Sequence, residues 1–248
     1  MNEAGLTSII IPTYNGLHLL APCVEAIRRY TEVPYEIIVV DNGSTDETVP
    51  YCLREQLILV ALPRNEGFPI AVNRGLSIAS GDQLLLLNND VTVSPHWLSN
   101  MLRALKSAPD IGMVGPVTNY ASGRQQVEVP WKEGEDFIRV AQRYNRSDAS
   151  RWQEAQRLIG MCLLIKREVL ALVGLLDESF SPGHYEDDDY CYRVREAGYR
   201  LLICGDTLVH HAGSASFKAQ HPEGWSELIE RNRQRFMDKW GLDPWQFI

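Results

Sequence analysis

The chain has 248 residues, 45% of them hydrophobic, and a formal net charge of −8. That length supports one sizeable core, or one core with a small lobe, and the acidic balance argues against a broad nucleic-acid-binding face. Five scattered cysteines, Cys23, Cys52, Cys162, Cys191 and Cys204, have no paired spacing, so they read as reduced, buried thiols rather than as a disulfide framework or a zinc knuckle.

The first residues lack a basic stretch followed by an apolar run, and no apolar run approaches the roughly 20 residues of a membrane helix. The expectation is a cytoplasmic protein, with peripheral contact at the inner face of a membrane left open.

Taken in chain order, Thr7 to Ile11 is a strand closed by Pro12, and Leu17 to Tyr30 carries Leu20, Val24 and Ile27 at helical spacing. Glu36 to Val40 is a nearly continuous β-branched run, as suits a parallel strand covered on both faces. Ser44-Thr45-Asp46-Glu47 has the form of a capping box ahead of a short helix. Leu57 to Ala61 is the third strand, Gly67 to Ala79 a helix, and Leu84 to Leu87 the fourth strand; Ser94-Pro95 then opens another helix.

Residues 116–135 read as a long loop and Asp136 to Tyr144 as a helical excursion on the acceptor side. Leu158 to Ile165 is a strand, Glu186 to Ala197 a helix ended by Gly198, and Leu201 to Cys204 and Thr207 to Val209 are two short strands. Glu223 to Trp240 is a charged amphipathic helix ending at Gly241.

This alternation implies an α/β protein with a doubly wound sheet. Ligands of such sheets sit beyond the carboxyl ends of the strands, which directs attention to Thr13-Tyr14-Asn15, Asp41-Asn42-Gly43, Arg64-Asn65-Glu66 and Asn88-Asn89-Asp90. A carboxylate at Asp41 can accept from the imide N–H of a pyrimidine, although a plain strand–turn–helix joint also accounts for that stretch. Asp90 is placed to hold a divalent cation beside a diphosphate; an Asx turn at the strand end is the simpler alternative.

His184-Tyr185-Glu186-Asp187-Asp188-Asp189 is the least ordinary stretch. A helix dipole favours one or two acids in its first turn, but four adjacent ones repel. A carboxylate aimed into a cleft as general base explains them better. His210-His211 follows an apolar strand, and one imidazole there can complete a cation site with Asp90.

Six segments, SIIIPTYNG (8–16), EIIVVDNGSTDET (36–48), NEGFPIAVNRGLSIASGDQLLLLNNDV (65–91), GMCLLIKREVLALVGLLDESF (160–180), HYEDDDYCYRVREAGYR (184–200) and VHHAGSAS (209–216), resemble family-two glycosyltransferases, and within them the bacterial branch that includes rhamnosyltransferase-like enzymes. The ending ERNRQRFMDKWG (230–241) also looks like a tail of this branch.

The resemblance implies a GT-A fold, a Rossmann-like doubly wound mixed sheet. Residues 1–220 would form the catalytic domain, with a nucleotide-binding half about 1–115 and an acceptor half about 116–220, and 221–248 a C-terminal helical extension. It implies an inverting, metal-dependent hexosyl- or deoxyhexosyltransferase using Mn2+ or Mg2+ and a UDP- or dTDP-sugar. The acceptor would be a hydroxyl of a glycan, a lipid-linked glycan, a polysaccharide or a protein, and the chain would be one part of a larger polypeptide.

Residue by residue, Pro12, Thr13, Tyr14 and Asn15 match the nucleotide pocket. Asp41 matches the acid that reads the base, with Asn42 beside it, and Arg64, Gly67 and Asn73 match positions around the ribose and phosphates. Asn88, Asn89 and Asp90 fill the family's DxD, with Asp90 the metal ligand and His210 a further one. Asp187, or its neighbour Glu186, matches the catalytic base.

Asn88 departs from the aspartate of that motif, which weakens cation binding. Two other classes are a catalytically dead sugar-nucleotide-binding module, against which Asp90 and the Glu186-Asp187 pair argue, and a nucleotidyltransferase, which would carry a Gly-rich basic loop that SIIIPTYNG lacks.

Overall fold

The computed structural model describes residues 5–128, 136–213 and 225–248. Strands β1 (Thr7–Thr13), β2 (Tyr35–Asp41), β3 (Ile58–Ala61) and β4 (Gln83–Leu87) lie in the order β3-β2-β1-β4 and run parallel. Alternation along β1 sends Ile9 and Ile11 to one face and Ile10 to the other. Helices α1 (Leu17–Tyr30) and α4 (Trp97–Leu105) cover the first face through Leu20, Val24, Ile27, Trp97 and Met101. Helix α3 (Phe68–Ile78) covers the second through Ala71, Val72 and Leu76.

Pro12 does not close β1, a correction to the sequence reading: the strand runs on to Thr13. The Thr7 N–H points at β2, where it donates to Pro34, so the even positions of β1 face β4. Pairing with β4 ends at Ile10, and the missing N–H of Pro12 therefore interrupts no ladder.

The expected capping box also does not form. Helix α2 (Thr48–Arg54) starts later, with no side-chain hydrogen bond from its N-cap Glu47. Ser44 Oγ instead accepts from the Asn15 N–H, and Asp46 accepts from Leu17 and Thr48 N–H groups, which stitches two loops together. Likewise α4 begins at Trp97, behind a left-handed His96, and Ser94 Oγ donates to the Leu208 carbonyl rather than capping.

Beyond β4 the sheet continues through antiparallel β8 (Cys162–Lys166) to β6 (Ile111–Thr118), β9 (Arg200–His211) and β5 (Val91–Thr92), with β7 (Trp152–Ala155) paired on β9. Strand β6 lies partly where the sequence pointed to a loop: residues 116–118 are its end, and 129–135 lie outside the described residues. The two short strands expected after Gly198 are one, because Cys204 pairs Pro116 and Leu208 pairs Val117, so Gly205 to Thr207 bulge out without ending β9.

The remaining helices are α5 (Phe137–Tyr144), α6 (Arg167–Val173), α7 (Glu186–Glu196) and α8 (Trp225–Trp240). The expected start of α8 at Glu223 lies outside the described residues. Phe236 of α8 packs with Phe180 and Tyr185 in a small third core, against Tyr192 of α7. No helix among the described residues is long and apolar enough to cross a membrane.

Candidate active site

The carboxyl ends of the parallel strands open onto one cleft. Its walls are Pro12-Thr13-Tyr14 at the end of β1, Asn42 after β2, Asn65, Gly67 and Phe68 at the start of α3, and Asn88-Asn89-Asp90 after β4. Ile159-Gly160-Met161, Pro182, His184, Glu186, Asp187 and His211 complete it from the second half of the chain.

Short polar links hold the wall built from the first half of the chain. Asn89 Nδ2 donates to Thr13 Oγ1 at 2.9 Å. Asn42 Nδ2 donates to Asn65 Oδ1 at 2.9 Å, and its Oδ1 accepts from the Glu66 N–H at 2.9 Å, clamping the loop before α3. Gly67, at φ +94°, brings that loop against the 181–182 segment; a Cβ there would lie 2.8 Å from Pro182 Cα. Asp41 is buried. Its Oδ2 accepts from the Ser44 N–H, and its Oδ1 is a buried acceptor with no hydrogen-bond partner among the described residues.

At the end of β4, Asp90 Oδ1 lies 3.2 Å from His211 Nε2. His211 Nδ1 is 2.9 Å from the Tyr120 carbonyl, which can only accept, so Nδ1 carries the proton. In the neutral ring the Nε2 lone pair then faces a carboxylate oxygen. Both atoms are buried without a hydrogen-bond partner. Something positive belongs between them, either a proton on Nε2 or a cation.

The residues present therefore fit a divalent cation with one carboxylate and one imidazole ligand. Burial opposes the imidazolium, but Asp90 outweighs it and holds His211 above the usual imidazole range. His210, expected as the cation ligand, packs its ring against Phe137 at 5.5 Å, and burial and the neighbouring His211 hold it below that range.

The four acids of α7 have separate fates. Asp189 is fully buried and receives Arg193, Lys239 and the Trp240 indole at 2.8, 2.6 and 2.9 Å. Asp188 meets Arg157 at 2.5 Å, and burial lifts it to about 7 against the pull of that guanidinium. Glu186 is buried, and burial together with the adjacent Asp187 charge pushes it well above the carboxylate range. Asp187 lines the cleft, only half-buried; its Oδ2 accepts from the Gly160 N–H at 2.7 Å.

The approach to this turn is strained. His184 and Tyr185 sit at φ 73° and 70°, where non-glycine residues cost roughly 1–3 kcal/mol each and persist only when their surroundings enforce it.

Several expected site residues stand apart from the cleft. The Arg64 side chain is 80% exposed and pairs loosely with Glu66 at 3.5 Å. Asn73 is buried, with its amide bound to both the N–H and the carbonyl of Leu176, latching α3 to the loop after α6. Asn15 accepts from the Thr45 N–H and joins two loops. Asn65, singled out at the end of its strand, lines the cleft together with Phe68, Met161 and Pro182, which the sequence did not single out, and Arg157 lies behind it as the partner of Asp188.

The Glycosyl transferase family 2 model matches residues 8–173. The glycosyltransferase GlyG of Streptococcus pneumoniae is 27% identical over 215 residues, covering 82% of this chain and 69% of that protein. The O-antigen biosynthesis protein RfbC of Myxococcus xanthus is 28% identical over 86% of this chain. The chain spans 18% of that protein's length and 25% of another relative's, from Sinorhizobium fredii. Among solved structures, GalNAc-T7 with UDP, GalNAc and Mn2+ superposes with a TM-score of 0.67 over 84% of this chain and 43% of its own, at 20% identity. That likeness establishes a shared fold, the GT-A arrangement.

Proposed function

Because the chain belongs to glycosyl transferase family 2, we propose that it moves a sugar from a nucleotide-diphosphate donor to an acceptor hydroxyl with inversion at the anomeric carbon. The observation that carries this reading is that Asp187 and the Asp90–His211 pair line the same cleft as the nucleotide-side loops. The donor is a UDP- or dTDP-sugar, since the unpartnered buried oxygen of Asp41 suits the imide N–H of uracil or thymine. The acceptor is a glycan or lipid-linked glycan; a relative named for O-antigen biosynthesis supports that class.

Asp90 and His211 would hold a divalent cation, which would neutralise the diphosphate as it departs. Asp187 takes the proton of the acceptor hydroxyl, and that oxygen attacks the anomeric carbon from the face opposite the nucleotide. Asp187 is the better base of the acidic pair: both acids line the cleft, but Asp187 is only half-buried, whereas Glu186 is buried and held toward its neutral form. The Gly160 N–H fixes the Asp187 carboxylate from behind.

The test is release of nucleotide from UDP-glucose, UDP-N-acetylglucosamine, dTDP-glucose and dTDP-rhamnose with Mn2+, water serving as acceptor. Turnover of at least one UDP- or dTDP-sugar, lost in Asp187→Asn, supports the reading. Turnover that survives Asp187→Asn contradicts it.

A further inference from the structure

The segment from Ser179 to Tyr185 joins the two sides of the cleft. Its Pro182 carbonyl accepts from the Phe68 N–H at 2.8 Å, at the start of α3, and its far end runs through left-handed His184 and Tyr185 into Glu186 and Asp187. Within it the Phe180 carbonyl accepts from the Gly183 N–H at 2.9 Å and the Tyr185 carbonyl from the Asp189 N–H at 2.9 Å, and buried carbonyls short of donors are costly.

Helix α8 adds side-chain donors to the segment. Asn232 is fully buried, and its Nδ2 donates to the carbonyls of Phe180, Gly183 and His184 at 2.7, 2.8 and 3.2 Å. Arg231 Nη2 donates to the Ser181 carbonyl at 3.0 Å, and Arg235 Nη1 to that of Ser179. Both guanidiniums also donate to Asn232 Oδ1, which fixes the orientation of its amide.

We infer that Asn232 is a positioning residue for the transfer step: its amide gathers the carbonyls of the 180–184 turn, and so sets where Asp187 stands relative to the acceptor hydroxyl. Asn232 touches neither cleft nor substrate. The inference rests on Asp187 being the base. The amide has two N–H donors, so the longest of the three contacts shares a hydrogen with another; side chains with one N–H donor, or none, bind fewer of these carbonyls, and an aspartate would set an anion against them.

The test compares Asn232→Ala, Arg231→Ala and Asp187→Asn in the full chain, using whichever donor of the panel above the unaltered protein turns over fastest. Binding of the matching diphosphate, UDP or dTDP with Mn2+, is measured by calorimetry. Asn232→Ala lowers kcat about 10- to 100-fold, the scale of an ångström-sized misplacement. Its donor KM and diphosphate affinity stay within about twofold of the unaltered protein. Arg231→Ala, which frees one carbonyl at the exposed edge, gives a smaller loss of the same kind.

Unchanged kcat, or diphosphate affinity falling in step with kcat, overturns the inference, the latter because it marks a merely structural role. If Asn232→Ala does not fold, the kcat of Arg231→Ala decides: a loss at unchanged KM supports positioning and no loss overturns it. An Asp187→Asn protein that keeps its kcat removes the base reading itself. An inactive Asp187→Asn beside an unimpaired Asn232→Ala removes only the role of Asn232.

Discussion

His211 Nε2 faces Asp90 Oδ1 across 3.2 Å, while the other ring nitrogen is committed to the Tyr120 carbonyl. The pairing of β5 with β9 creates this relationship, since Val91 lies opposite His211 and Thr92 opposite His210. Removing the imidazole leaves Asp90 as the only side chain of the pair. His211→Ala therefore raises the Mn2+ concentration for half-maximal nucleotide release by about 10- to 100-fold, on the scale of losing a supporting group at a metal site. His210→Ala shifts it little. A Mn2+ titration of the two variants checks this, and the reverse ranking would restore His210 as the ligand.

Asp187→Asn keeps the shape of the side chain and, with its oxygen toward Gly160, the bond from that N–H, but it gives up the acceptor facing the Asp188 N–H and removes the basicity. It lowers kcat by about 10²- to 10⁴-fold, the usual contribution of a general base, with far-UV circular dichroism unchanged. Glu186→Gln, at a group already held toward its neutral form, costs less. Steady-state kinetics on both variants ranks the two acids.

How much of this was legible in the sequence follows from what each signal depends on. Strands β1, β2 and β4 are apolar runs bounded by polar turns, and local pattern suffices to find them. Strand β6 is as deeply buried, but Gly112, Gly115 and Pro116 interrupt its run. Strand β7, paired on β9, is half-polar because its middle residues Gln153 and Glu154 are exposed.

The choice between His210 and His211 depends on a long-range register in which one residue of slip exchanges the faces of the strand. Arg64 and Asn73 matched by position, yet one projects into solvent and the other latches a loop. The partners of the acids on α7, Arg157 and Lys239, are distant in sequence and carry no local mark.

Asp177 gives the attachment of α8 a pH dependence. Partial burial works against its ionisation, but Lys239 at 2.7 Å and the Ser179 N–H outweigh it and bring it down to about 2. A lowered acid contributes stability above its unfolded value near 3.8, and that contribution fades as pH falls toward 2. Asp177→Asn thus destabilises the protein above about pH 4, and the difference from the unaltered chain narrows toward pH 2. Urea midpoints across that range measure it; a gap that widens on acidification contradicts the assignment.

Gly67→Ala meets two penalties, a left-handed backbone and a Cβ 2.8 Å from Pro182 Cα. It lowers stability by about 1–3 kcal/mol and weakens diphosphate binding, because the loop clamped by Asn42 must move away from the 181–182 segment. Urea unfolding and calorimetry read the two effects.

The most direct measurement of the central claim is a thermal-shift titration with UDP, dTDP, GDP and CDP, each with and without Mn2+. A ligand that binds only the native state raises the melting temperature in proportion to its affinity. UDP or dTDP should raise it most, with Mn2+ enhancing the shift in the unaltered protein and not in Asp90→Ala. Absence of a shift with every nucleotide diphosphate, or a shift indifferent to both Mn2+ and Asp90, would contradict the account.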